Sequence, residues 1–205
     1  MAEMDPCVTR WDGASEESLQ AALAPPAIQC VEVDLIDECH DELVCTQPEP
    51  GHLSLVVSTR SAYRHSIVKT FISAMQNRTS LSDDMRIRVY SAVQEALMNA
   101  VLHGNLRIDP HLRDNLEGLL AAQEAIESKL NAPEVARSMI RMEAIWNASS
   151  LNVVIQDSGD GYDETVTHEG TEDGASGRGL AILQAFSDKV AVLNGGTTVK
   201  LEFRL

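Results

Sequence analysis

The sequence predicts an α+β fold, a two-layer sandwich of helices on a mainly antiparallel sheet. Three observations predict it. Helical periodicity dominates residues 61–141, whereas short alternating runs dominate after residue 142. The turn Asn194-Gly195-Gly196 joins two such runs, which is a hairpin signal. Strands and helices do not alternate as a βαβ domain requires, and no internal repeat is present.

Residues 1–50 are set apart as an N-terminal appendage. Gly13, Pro25, Pro26, Pro48 and Pro50 punctuate them, and acids crowd residues 32–42. One short strand is expected there, over 28–36, where Ile28, Cys30, Val31, Val33 and Leu35 come close to alternation. The domain of residues 51–205 opens with an apolar strand at 53–57. A helix is expected over 61–76, with Ile67, Phe71, Ile72 and Met75 on one face. A second begins after Ser82, whose hydroxyl can cap it, and Asp83 and Asp84 favour its first turn. It continues through Ile87, Val89, Val93, Leu97 and Val101 and stops at Gly104-Asn105.

Residues 109–141 read as a helical insertion. Leu112, Leu116, Leu119, Leu120, Ile126 and Leu130 supply its periodicity, and Asn131 with Pro133 divides it into two helices. Strands follow at 142–147 and 151–156, then a glycine- and acid-rich loop. A helix over 179–186 and the hairpin strands 189–193 and 198–205 close the chain.

Composition narrows the class of function. Of 205 residues 44% are apolar but only 4% aromatic, so the core is expected to be mostly Leu, Val, Ile, Ala and Met. The net charge of −15 repels phosphate backbones and argues against direct nucleic-acid binding. No stretch approaches the roughly 20 apolar residues of a membrane span. The acidic N-terminus also lacks the basic and apolar regions of a signal peptide, so no membrane is expected and a cytoplasmic location is. Cys7, Cys30, Cys39 and Cys45 form no C-x-x-C pair, which favours free thiols over a zinc site.

Three segments carry chemistry. In Glu95-Ala-Leu-Met-Asn99-Ala-Val-Leu-His103-Gly104-Asn105 the residues Glu95, Asn99 and His103 recur at every fourth position. They draw one polar stripe along an otherwise apolar helix, the pattern of a cleft wall. Asp157-Ser158-Gly159-Asp160-Gly161 closes a strand with a carboxylate able to accept from an amine, and its glycines admit close approach of backbone to a ligand. Gly174-Ala-Ser-Gly177-Arg178-Gly179-Leu180 opens a helix, where free N–H groups suit phosphates. No Gly-Lys-Ser/Thr follows, so this is not a P-loop.

In this order the three segments resemble the N-box, the adenine-binding D-x-G-x-G and the last glycine box of the GHKL superfamily. Within it the chain is similar to anti-sigma factor serine kinases, over residues 53–205. The resemblance implies the Bergerat ATP-binding fold and ATP with Mg2+ as cofactors. It makes Glu95 the general base and Asn99 the magnesium ligand, and it makes Asp157 the acceptor of the adenine amino group. Gly159 and Gly161 would shape the adenine pocket. Gly177, Arg178, Gly179 and Leu180 would lie along the phosphates, and His103, at the end of the N-box helix, would be a further ATP-binding residue. Thr198 matches a hydroxyl used near adenine, with Thr197 equally placed.

The implied activity is a protein-serine/threonine kinase acting by partner switching. It would phosphorylate an antagonist protein and sequester a sigma factor, as a possible homodimer. Two departures from the family pattern keep a nucleotide-sensing module without catalysis as the alternative. The 15 residues between Gly161 and Gly177 are acidic, and Ala175 stands where some kinase members carry arginine. His65 lacks the acidic neighbour of a phospho-accepting histidine and is read as a surface side chain.

Overall fold

The computed structural model describes residues 7–38, 51–113, 116–161 and 175–205. Among them the strands are β1 (Val8–Trp11), β2 (Gln29–Glu32), β3 (His52–Ser58), β4 (Met139–Trp146), β5 (Ser150–Asp157), β6 (Lys189–Leu193) and β7 (Thr198–Arg204). They form one sheet in the order β1-β2-β3-β4-β5-β7-β6. The β1–β2 and β2–β3 pairs are parallel and the other four are antiparallel, so the expected mixed, mainly antiparallel class holds.

Alternation decides which face each strand buries. In β4 the residues Ile140, Met142, Ala144 and Trp146 are buried while those between them are partly or fully exposed. Their register partners Ile155, Val153 and Leu151 in β5 continue the same face, followed by Leu201 and Phe203 in β7. The helices cover this face. They are α1 (Glu16–Ala22), α2 (Thr59–Arg64), α3 (Ile67–Gln76), α4 (Asp83–Asn99), α5 (Leu116–Asn131), α6 (Pro133–Ala136) and α7 (Ala175–Phe186). One large core runs between them and the sheet, through Phe71, Met75, Val89, Val93 and Leu97 among others. Each such side chain contributes about 1.5–3 kcal/mol on burial.

The described part of the segment set apart at the N-terminus supplies β1, α1 and β2 to this sheet. Its docking is polar as well as apolar. The Trp11 indole N–H donates to the Ser15 carbonyl and to Ser18 Oγ, and its ring meets His65 edge-on at 5.4 Å. Arg78 donates to the carbonyls of Leu23 and Ala27. Glu32, which ends β2, accepts from Ser58 N at 2.7 Å, Ser58 Oγ at 3.0 Å and Ser61 Oγ at 2.8 Å.

Several boundaries differ from the sequence reading, each for a packing reason. The strand expected over 28–36 stops at Glu32. A 3-10 turn, Val33–Glu38, then folds Leu35 onto Val31 and Val56 on the far face of the sheet. The helix expected over 61–76 is two helices, broken at the extended residue His65 (φ −113°, ψ 156°). His65 is not a surface side chain: it is half-buried, with Nε2 3.1 Å from the Gly13 carbonyl. The helical reading of 109–141 ends early, because Met139, Ile140 and Arg141 pair with Ser58, Val57 and Val56 and so belong to β4. Helix α7 starts at Ala175, four residues before the expected 179. No described helix is long and apolar enough to cross a membrane.

Candidate functional site

Helix α4 is fixed at its start by its own sequence. Ser82 caps it by accepting from Met85 N, and Asp83 and Asp84 complement the dipole in the first turn. Met85, Val89, Ala92, Val93, Ala96 and Leu97 turn one face into the core. That leaves Glu95 and Asn99 half-buried beside the apolar stripe. Past Asn99 the helix widens into a π turn, Ala100–Asn105, with Leu106 N donating to the Val101 carbonyl five residues back. Such turns break the regular spacing and re-aim side chains, and they recur at functional sites.

The widened turn brings Gly104 against the end of β5. A methyl group built on Gly104 would lie 2.5 Å from Asp157 Cγ, so a larger residue there would displace that carboxylate. Gly159 is pressed into the same corner. A methyl there would meet the Gly104 carbonyl at 2.6 Å and Asp157 Oδ1 at 2.9 Å. The Gly159 N–H donates to Asp157 Oδ1 at 2.8 Å. Gly161, at φ +73°, packs on the Gly195 carbonyl in the turn before β7.

Asp157 is half-buried, and desolvation pushes its carboxyl above the usual carboxylate range, opposed by the Gly159 N–H. Among the described residues its side chain accepts from the Gly159 N–H. A carboxylate so placed has lone pairs left for a donor from outside.

The third segment reaches the other end of the stripe. A methyl on Gly179 would lie 2.6 Å from Glu95 Oε1 and 3.2 Å from Asn99 Nδ2. Gly179 thus places the start of α7 directly against both polar groups. Because α7 begins at Ala175, Gly177, Arg178 and Gly179 lie within its first two turns. The contact of Gly179 with both groups is a close steric one. Leu180, next along, is exposed. The acidic residues 162–174 lie outside the described residues.

Two expected site residues are not brought to this cluster. Thr198 pairs with Gln156, and alternation turns both away from the face that carries Asp157. It is buried instead against Asn194, which donates to its hydroxyl at 3.1 Å. Thr197 is the better placed of the two, since its carbonyl accepts from Asp157 N and its methyl lies beside Gly161. His103 is exposed, with Nδ1 3.0 Å from the Ile108 carbonyl, so it fastens the loop after the π turn.

Asn105 is a site residue the sequence reading passed over. Read as a helix stop, it is buried, and its amide oxygen accepts from Ser158 N at 2.8 Å. Its only sequence signal was membership of the first motif. Beyond it Arg107, at φ +49°, pairs with Asp160 at 2.7 Å on the exposed rim.

A family model described as a histidine kinase-like ATPase domain matches residues 59–203, and the chain belongs to that family. A search of curated proteins gives no match. Membership makes this an ATP-binding domain of the GHKL type, and the three motif segments that meet in the structure all lie within the matched residues.

Proposed function

We propose, with membership of that family as the premise, that the protein is an ATP-dependent protein-serine/threonine kinase of the anti-sigma factor type. The observation that carries the reading is the closure of Gly179 on Glu95 and Asn99. It sets a carboxylate and an amide side by side next to the glycine box, as phosphoryl transfer to a hydroxyl needs. That chemistry rests mainly on positioning and on neutralising charge.

Asp157 accepts the adenine amino group at one end of the cleft. At the other, Glu95 orients the acceptor hydroxyl and takes its proton. Asn99 offers an amide oxygen to Mg2+, and this donor set fits the ion. Magnesium takes few protein ligands and completes its octahedron with water and phosphate oxygens. No described group of three or more His, Cys, Asp and Glu side chains could hold a metal by itself. Bound ATP supplies the phosphoryl group. The hydroxyl belongs to an antagonist protein, and a sigma factor is the second partner in the switch.

Calorimetry with ATP and Mg2+ tests the pocket. Binding should be lost or weakened tenfold or more in Asp157→Asn, on the scale of a hydrogen bond to a charged group. It should weaken in Asn99→Ala and persist in Glu95→Gln. Transfer of labelled γ-phosphate to a serine of a candidate antagonist should vanish in Glu95→Gln. Tight binding without any transfer would leave a nucleotide-sensing module, the reading favoured by Ala175 in place of arginine.

A further inference from the structure

The adenine-accepting carboxylate needs a fixed backbone, and the backbone just after it is held from another part of the fold. Asn105 supplies that hold. Its Oδ1 accepts from Ser158 N at 2.8 Å, one residue beyond Asp157. Its Nδ2 donates to Thr59 Oγ1 at 2.7 Å and to the Met139 carbonyl at 3.2 Å. The neighbours fix which way the amide points: Ser158 N can only donate and the Met139 carbonyl can only accept. Thr59 in turn is anchored to the Ser138 carbonyl through both its N–H and its hydroxyl. Ser158 Oγ reaches the Met139 carbonyl as well, at 2.9 Å. One buried amide therefore joins the end of the π turn, the start of α2, the start of β4 and the loop that leaves β5.

We infer that Asn105 is a positioning residue for adenine recognition, acting through Ser158 to hold Asp157 where a 6-amino group can reach it. The inference rests on the reading of Asp157 as the adenine acceptor. Removing the amide leaves Ser158 N without its buried acceptor, and Ser158 shares its peptide link with Asp157. The carboxylate then loses its aim while the remainder of the cleft, Glu95, Asn99 and Gly179, stays as it is. Recognition of the base should suffer and grip on the phosphates should not.

The test compares ADP with inosine diphosphate, both with Mg2+, because hypoxanthine lacks the amino group. Wild type should favour ADP about tenfold or more, as expected for a hydrogen bond to a charged acceptor. In Asn105→Ala the affinity for ADP should fall about tenfold while that for inosine diphosphate changes less than about threefold. Equal losses for both nucleotides would show a merely structural role and overturn the inference, as would no loss at all. Should Asn105→Ala fail to fold, Thr59→Val removes one anchor of the amide and should lower the ADP preference by about threefold. An unchanged preference there overturns the inference too. Wild type without a preference for ADP would instead overturn the role of Asp157, and this inference with it.

Discussion

Two carboxylates each end a strand of the same sheet, and they use their oxygens in opposite ways. Glu32 closes β2, is 7% exposed, and is met by three donors from Ser58 and Ser61. Asp157 closes β5, is half-buried, and is met by the Gly159 N–H. Burying a charge is costly unless the chain supplies donors for it. Glu32 has them, so it fastens β2 to the start of α2. Among the described residues Asp157 has one, from Gly159, which fits the bond proposed from a ligand's amine. The difference separates an acid that builds the fold from one that, on the proposed function, is kept for a ligand.

The largest expected effect is on the fastening. Glu32→Ala strands three buried donors and should cost about 3 kcal/mol. In a chain of this size that lowers Tm by about 6–12 °C. Nucleotide affinity of the folded protein should be unaltered. A drop of less than about 2 °C in differential scanning calorimetry would remove the contrast between the two acids.

Asp157→Asn should move stability the other way. The carboxyl of Asp157 is raised in the folded state by burial. Its contribution is therefore complete below the unfolded value near 3.8 and is lost as pH rises through the folded one. Above that window the charged form burdens the fold, and the neutral amide does not. Tm of the variant should exceed wild type at pH 8, by about 2–4 °C for each kcal/mol relieved, and the gap should close near pH 4. A variant less stable than wild type at pH 8 would mean that Asp157 is a structural acid like Glu32.

The smallest effect belongs to a pair on the open face of the sheet. His52 lies 2.8 Å from Glu143, and its hydrogen bond holds that carboxyl below the usual range. The sign is opposite to that of Asp157. The contribution is present above the unfolded value near 4.5 and is lost as pH falls through the lower folded one. His52→Ala should cost less than about 1 kcal/mol at pH 6, since both partners are partly solvated, and progressively less as pH falls through the lowered folded value of Glu143. Urea denaturation across that range measures it.

Much of the fold could be read along the chain because its signals are local. The Ser82 cap, the apolar spacing of α4 and the Asn194-Gly195-Gly196 turn depend on residues within a few positions of each other. The boundaries that shifted depend on distant partners. Residues 139–141 become strand because β3 lies opposite them, and His65 breaks a helix where Trp11 and Gly13 meet it. The site divides in the same way. Glu95 and Asn99 showed themselves by four-residue spacing, and Asp157 by its place at a strand end. Asn105 looked like a helix stop, and Thr197 and Thr198 were equivalent until register turned one of them away.

By itself the sequence determined most elements after residue 50, the α+β class with a mainly antiparallel sheet and the three segments that carry chemistry, because periodicity and glycine placement act over short distances. Tertiary structure alone decided that Gly104 admits Asp157, that Gly179 admits Glu95 and Asn99, and that residues 7–38 extend the sheet. Those are contacts between segments far apart in the chain. Their strength comes from excluded volume and shared burial, which no local pattern records.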